Sequence, residues 1–284
     1  MPVLNGQVAP MLGHAAVGGL RVALSDPGVV GADVLAEALG TAGVRVVATE
    51  ASPEMMIETG PSFPDPASPV SGVVSTSAGT AERLQSGGVS FPVIACHTAH
   101  CVRLADRERG RRIVQASARL TNKRIAGSLI MVTGYGDTAR AVAATARALG
   151  ATVAVIESDP VAALTARFDG HNLTDHPSGT VMVVDGCPAP PLDDLPDGAI
   201  VVTPGSPAPA DGTEVRPGVW SIRSGAVHVV VPLVERSLDE ADLVLSVAAL
   251  ALARLASTPH APGITTLPAD IDTEVARFAL GALR

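Results

Sequence analysis

Two short segments carry residue types and spacings able to do chemistry. The first is Gly134-Tyr135-Gly136-Asp137-Thr138-Ala139, a G-x-G-x-x-A run that follows an apolar stretch and opens a helical pattern. In such a turn the first glycine permits the tight bend and the second lets a pyrophosphate approach the backbone. The third position must be small so that helix and strand pack closely, and the amides at the helix start then face the phosphates. Glu157 ends the next strand, where a carboxylate accepts both ribose hydroxyl hydrogens and repels a 2′-phosphate, favouring NAD over NADP. Strand, glycines, helix, strand and acid in order point to dinucleotide or adenosine-phosphate binding. The other reading is a turn kept only for packing.

The second segment is Cys96-His97-Thr98-Ala99-His100-Cys101, directly after an apolar run, where open parallel sheets place ligands. Three readings stay open. An imidazole here could act as general acid or base near neutral pH without any lysine. Two Cys and two His also resemble a zinc set, although adjacent Cys96 and His97 seldom both reach one ion from extended backbone, and no metal is assigned. The third reading is buried cysteines with satisfied loop histidines. His171 and His176 lie in a polar loop and are expected at the surface.

These segments need a scaffold. Leu20–Leu24, a helical pattern through Val34 to Leu39, and Val44–Ala48 read as strand, helix, strand, the unit of a parallel sheet. Ser52–Ser71, rich in Pro, Ser and Asp, reads as a loop or shortened insertion. Val73-Val74 and Phe91–Ala95 are further strands, with a short helix at Ala81–Gln85 between them. Asp106–Arg124 predicts a long helix with a solvated arginine face. Beyond it the alternation repeats: strand Ser128–Thr133, helix Thr138–Leu149, strand Thr152–Ile156, helix Val161–Phe168, strands Thr180–Val184 and Ala199–Thr203. Strands Val219–Ile222 and Val227–Leu233, a buried helix from Leu238 and a last helix near Asp272–Leu283 complete the chain.

Composition narrows the function classes. Hydrophobic residues make up 47% of the 284, charged residues 17% and aromatics 2%, with net charge −8. An acidic chain this poor in aromatics suits neither broad phosphate-backbone binding nor base stacking, so no nucleic-acid partner is expected. The apolar stretch Ala241–Ala256 is interrupted by Asp242 and Arg254 and falls short of the ~20 residues of a membrane span. The first residues lack the basic and apolar regions of a secretory signal. Three cysteines (Cys96, Cys101, Cys187) make no disulfide framework, which suggests a reducing, cytoplasmic setting. All basic residues but Lys123 are arginines, so chemistry that needs a lysine can look in one place only.

The run Gly134–Gly170, GYGDTARAVAATARALGATVAVIESDPVAALTARFDG, resembles the cofactor domain of the S-adenosylhomocysteine hydrolase family, with its GYGDVGKG and later GA.V...E.DP..AL.A...G pattern. Similar matches occur at Phe91–Ile94, Ile125–Gly127, Asp185–Cys187, Ala199–Val201 and Gly263–Pro268, then at Asp272, Glu274–Arg277 and Leu280. The resemblance implies an α/β fold in which a Rossmann-like NAD-binding domain, residues 107–233, is inserted into a smaller substrate-like α/β domain formed by both chain ends, 1–106 and 234–284. It implies cofactor contacts from Gly134, Gly136, Asp137, Thr138 and Glu157, and from Thr76 and Ser77 of the family's threonine run.

The family oxidises its substrate's 3′-hydroxyl with tightly held NAD, eliminates a thiol, adds water and reduces again. This chain departs from that machinery. The family lysine falls at Val102, the glutamate before the threonine run at Ser75, and the substrate histidine at Pro27. The family's IGH becomes Pro204-Gly205-Ser206, and no counterpart of its NAD-reaching C-terminal tail follows. Asp106 retains the family aspartate, beside Arg107 in place of asparagine, and His97 takes the nicotinamide-side asparagine position. The expectation is an NAD-dependent oxidoreductase-type enzyme acting on a nucleoside or other small alcohol, with His97, His100, Cys101 and Asp106 as catalytic candidates. The alternative is a non-catalytic member serving as scaffold, regulator or partner subunit. Self-association as a dimer or tetramer is expected from the resemblance.

Overall fold

A computed structural model describes residues 3–15, 17–59, 70–183, 191–204, 209–232 and 237–282. The chain divides into two compact units, an outer one made of Met1–Ala105 and Glu235–Arg284 and an inner one, Asp106–Val234. The outer unit is the larger in residues, not the smaller as expected.

The outer unit opens on a helical turn, Leu4–Val8, that continues into α1 (Ala9–Leu12) and buries Leu4, Val8 and Leu12. The amides that begin a helix lack internal acceptors. Here Val3 and Leu4 donate theirs to the buried carboxylate of Asp242, at 2.9 and 2.8 Å. There follow β1 (Arg21–Leu24), α2 (Ala32–Thr41), β2 (Arg45–Val47), β3 (Met55–Ile57), β4 (Gly72–Ser75), α3 (Ala78–Gly87), β5 (Pro92–Ala95) and the long α4 (His100–Thr121), which continues into the inner unit.

The inner unit holds β6 (Leu129–Thr133), α5 (Asp137–Ala148), β7 (Thr152–Ile156), α6 (Pro160–Phe168), β8 (Asn172–Leu173), β9 (Thr180–Val183), β10 (Ala199–Val202), β11 (Thr213–Arg216), β12 (Val219–Ile222) and β13 (Val227–Val230). The chain then returns to the outer unit through α7 (Leu238–Ser257), β14 (Gly263–Thr266) and α8 (Ala269–Ala282). A capping box starts α7: Ser237 Oγ accepts from the Glu240 amide and Glu240 returns the bond to the Ser237 amide. Nearly every face of α7 is buried, in keeping with its largely apolar sequence. Among the described residues no helix is long and apolar enough to cross a membrane.

The outer sheet is parallel throughout, in the order β14-β5-β4-β3-β1-β2. Strand β3 lies inside the segment read as a loop, and this is a correction. It pairs with β1 on one side and β4 on the other, so all three of its residues are buried. A strand covered on both faces shows no alternation, and a three-residue apolar run beside prolines gives no length signal. The inner sheet runs β11-β12-β13-β10-β9-β6-β7-β8, parallel from β13 to β8 with β11 and β12 antiparallel at one edge. Strand order reverses between β6 and β9, which is where doubly wound sheets open a crevice for ligands.

Candidate functional site

Strand β6 ends at Thr133 and the chain turns at Gly134, whose φ of +79° lies in the left-handed region open to glycine. Its amide donates to the Ile156 carbonyl at 2.9 Å, tying the turn to the end of β7. Gly136 then begins α5 with an extended backbone and no side-chain cap, so the first amides of this helix are left for a ligand or solvent. Ala139 is buried against the sheet with Val142, Ala143 and Ala146. Helix α4 reaches the same place from outside: a Cβ at Gly110 would stand 2.5 Å from the Thr138 carbonyl oxygen. The turn is therefore held on both sides.

Glu157 follows β7 directly, half-buried, with Oε1 accepting from the Asp159 amide at 2.8 Å. Asp159 in turn caps α6 by accepting from Ala162 at 2.7 Å. Asp137 pairs with Arg107 at 3.3 Å, which offsets a negative charge at a turn meant for phosphates. A ligand with two ribose-type hydroxyls and a pyrophosphate thus finds the carboxylate, the bend and the helix start in chain order. The residues present fit NAD: Gly134, Gly136, Asp137, Thr138 and Glu157 all lie on this one edge.

Tyr135 turns inward between the two glycines and donates its hydroxyl to Asp169 Oδ2 at 2.9 Å. Arg140 grips the same oxygen at 2.9–3.0 Å, and His171 meets the Tyr135 ring edge-on at 5.8 Å. His171 was expected at the surface and is instead 3% exposed, because the loop after α6 folds back under Tyr135. Burial and the nearby Arg147 charge lower its pKa, against a smaller opposing effect from Asp169. Burial and the bond to Asp169 raise the Tyr135 pKa. An open groove of about 650 Å³ lies beside this network, with Arg107, Arg111, Arg140 and Arg147 among its lining residues. His176 is exposed as expected.

The Cys/His segment belongs to the outer unit. It is not one loop: α4 already begins at His100, so His100 and Cys101 sit in a first helical turn. The cap comes from far along the chain. Asp272 of α8 accepts from the His100 amide at 2.7 Å and the Cys101 amide at 3.0 Å. The exposed His100 ring lies 3.2 Å from the same carboxylate. His97 is half-buried in the turn after β5. Cys96 and Cys101 are buried in the apolar core, and burial raises both thiol pKa values, that of Cys101 to about 12. A thiol in that state is no nucleophile at neutral pH. Cys187, Asp185, Gly186, Gly205 and Ser206 lie outside the described residues. Asp106 is half-buried on α4, the first residue of the inner unit. Among the described residues, no three His, Cys, Asp or Glu side chains are grouped to hold a metal ion.

Thr76 and Ser77 are committed elsewhere. Glu58, 1% exposed at the end of β3, accepts from the Thr76 amide (2.7 Å), the Ser77 amide (3.0 Å) and the hydroxyls of Ser75, Ser77 and Thr80 at 2.5–2.8 Å. The Thr76 hydroxyl donates to the Glu58 carbonyl at 3.2 Å. This buried carboxylate escaped the sequence reading. Its one signal is the hydroxyl-rich Ser75-Thr76-Ser77 after a strand, a cluster of donors that needs an acceptor.

The inner unit is a Rossmann-like NAD-binding domain. Residues 109–183 match the family described as S-adenosyl-L-homocysteine hydrolase, NAD binding domain. An adenosylhomocysteinase from Aquifex aeolicus is 40% identical over 88 residues, 30% of this chain and 21% of that protein. An S-inosyl-L-homocysteine hydrolase from Methanopyrus kandleri is 39% identical over 114 residues, 38% of this chain and 27% of that protein. The chain thus spans about a quarter of the length of the curated relatives it matches. The similarity lies in this domain, which resembles the NAD-binding domain of the S-adenosyl-L-homocysteine hydrolase family. Among solved structures, a dipicolinate synthase chain from Bacillus halodurans is similar at a TM-score of 0.47 and 12% identity, over 86% of this chain and 99% of that one.

Proposed function

We propose that the protein is an NAD-dependent oxidoreductase-type enzyme acting on a nucleoside or other small alcohol, and that it does not hydrolyse S-adenosylhomocysteine. The observation that carries the reading is the uncapped start of α5 behind Gly134 and Gly136, with Glu157 at the end of the next strand. Bound NAD supplies a hydride acceptor. The chain's own share is to hold the dinucleotide and to take the proton that an alcohol loses on oxidation. We assign that proton to His97, with His100 and its partner Asp272 as the second imidazole site and Asp106 as the retained acid. Cys101 then serves packing, and Thr76 and Ser77 serve the Glu58 cluster before any cofactor.

The missing lysine and the replacement of the family's substrate contacts by Ser75 and Pro27 argue against hydrolysis. The second reading, a non-catalytic NAD-binding scaffold or regulator, is favoured by one observation: the thiol and hydroxyls nearest the expected site are already buried or bonded. Self-association and a small-molecule substrate belong to the proposal, as does the absence of a nucleic-acid partner. The test is purified full chain titrated with NAD by calorimetry and then assayed for NADH absorbance with a panel of nucleosides and polyols. Binding with alcohol-dependent NADH formation that His97→Gln abolishes supports the enzyme. Binding without turnover on any alcohol supports the scaffold, and no binding refutes both.

A further inference from the structure

Among the described residues, four arginines line the open groove beside Tyr135, in a chain whose net charge is −8. Two helices bring them together. Arg107, Gly110 and Arg111 are spaced i, i+3 and i+4, so they share one face of α4. Gly110 sets that face close against α5, beside the Thr138 carbonyl and Ala141. Arg140 and Arg147 come from α5 itself, two turns or about 10 Å apart. Beside them lie the small side chains of Ala141, Ala144 and Ala148, which leave the groove open at about 650 Å³, the size of a small-molecule site.

The guanidinium groups are lightly held. Arg107 pairs with Asp137 at 3.3 Å and Arg111 with Glu108 at 3.0 Å, and the two arginine side chains are 49% and 57% exposed. Exposed pairs of this kind yield to a stronger acceptor. The one carboxylate among the described lining residues, Asp169, has other work, since its Oδ2 accepts from Tyr135 and Arg140. Arg147 donates to the Asp169 carbonyl at 2.8 Å, a neutral acceptor that takes none of its charge. Its field reaches His171, where burial and then the Arg147 charge lower the pKa.

We infer that this groove binds a small molecule carrying a di- or triphosphate group, and that its occupation weakens dinucleotide binding. The first half stands on the groove alone, and the second rests on the NAD reading above. Guanidinium forks match phosphate oxygens two at a time. Charges spread over about 10 Å exceed what one phosphate can span and suit a phosphate chain. A nucleic-acid backbone fits less well, because it needs a broad cationic face and this is one groove of an acidic chain. The coupling follows from shared parts. Tyr135 lies between the two turn glycines and lines the groove, and Arg107 lines it while offsetting the charge of Asp137 at the same turn. A polyphosphate that draws Arg107 away removes that offset beside the dinucleotide's own pyrophosphate. The effect is reciprocal, since each ligand must change the other's affinity by the same factor.

Calorimetry of the full chain with inorganic triphosphate at physiological salt tests the site. Wild type binds triphosphate about tenfold more tightly than orthophosphate. Arg111→Gln weakens that binding about fivefold and Arg111→Glu weakens it further, whereas Arg119→Gln, at an exposed position elsewhere on α4, has no effect. Absence of triphosphate binding, orthophosphate bound equally well, or equal losses in Arg111→Glu and Arg119→Gln overturns the site. Tighter binding of a single-stranded oligonucleotide that Arg111→Glu abolishes overturns the small-molecule class. Saturating triphosphate raises the NAD Kd of wild type about fivefold, and the rise disappears in Arg111→Glu, whose own NAD affinity is unchanged. A rise that persists in Arg111→Glu puts the triphosphate in the glycine turn and overturns the groove assignment. An unchanged NAD Kd overturns the coupling. A wild type that binds triphosphate but not NAD refutes the cofactor reading and the coupling with it, and leaves the anion site standing.

Discussion

Glu58 offers the sharpest test of how the outer unit is held together, through Glu58→Gln and Glu58→Ala. The carboxylate divides its work unequally. Oε2 accepts from the Thr76 and Ser77 amides and the Ser75 hydroxyl, while Oε1 accepts from the hydroxyls of Ser77 and Thr80. Glutamine can place its carbonyl oxygen at Oε2 and keep both backbone bonds. Its NH₂ then meets two hydroxyls, which rotate to accept. The loss is the extra strength of charge-assisted bonds, about 1–2 kcal/mol in all. Alanine removes every acceptor at once. The two backbone amides, fixed in direction and buried, each lose about 1–3 kcal/mol, while the hydroxyls find partial substitutes, for a total of about 3–5 kcal/mol. Such a loss is a large fraction of the roughly 5–15 kcal/mol that stabilises an ordinary domain. Urea unfolding followed by circular dichroism measures both variants against wild type. Equal losses for Gln and Ala, or a loss under about 1 kcal/mol for Ala, would show that the cluster is not the anchor described here.

His171 sets a pH response. Its pKa in the folded state lies below the unfolded value because of burial and Arg147, so the unfolded chain binds the extra proton first. Stability is therefore full above about pH 6.5 and declines as pH falls toward the folded pKa; His171→Gln flattens that part of the thermal-melt profile. Cys96 and Cys101, buried with raised pKa values, resist iodoacetamide in the native protein at pH 8 and react after unfolding, as peptide mass spectrometry will show. Gly110→Ala drives a methyl group to 2.5 Å from the Thr138 carbonyl and 2.7 Å from Ala141 Cβ. It destabilises by about 1–3 kcal/mol in chemical denaturation and weakens NAD binding by shifting α5, whereas Gly79→Ala, at an open position, leaves NAD affinity unchanged.

The inner unit was legible because its signals are local. Apolar runs stop at glycines, the helix between them has a periodic apolar face, and the acid follows the second strand, all within residues 128–157. The NAD assignment follows from the same stretch. What the sequence concealed lies where one partner is distant. The start of α4 is set by Asp272, 172 residues from His100, so the helix seemed to begin at Asp106. Strand β3 is defined by the neighbours on both sides of it and not by its own three residues. His171 is buried by a fold-back onto Tyr135 that no spacing announces. Thr133 looked like any strand residue, since only the packed sheet shows that its hydroxyl has no partner among the described residues.

The distant partners have a common chemistry, and it gives the chain's acidity a structural meaning. Asp242 receives the Val3 and Leu4 amides, Asp272 the amides that start α4, and Glu58 two amides after β4. In each case a carboxylate on one element closes the backbone of another. These three contacts are charge-assisted bonds to backbone N–H groups, which avoids the cost of desolvating a second charge. Acid sensitivity follows. At Asp272 burial alone would raise the pKa, but the bonds from the Cys101 and His100 amides outweigh it and leave the folded value below the ordinary one. The folded state then binds its proton later than the unfolded state, so the stabilisation is complete above the unfolded pKa near 4 and is lost as pH falls through the folded value. Asp272→Asn keeps one carbonyl acceptor for α4 and removes the titration. The variant is less stable than wild type at pH 7, and the difference narrows as pH falls below about 4. A difference that stays constant down to pH 3 in urea unfolding would mean that the Asp272 charge contributes nothing to closing this helix.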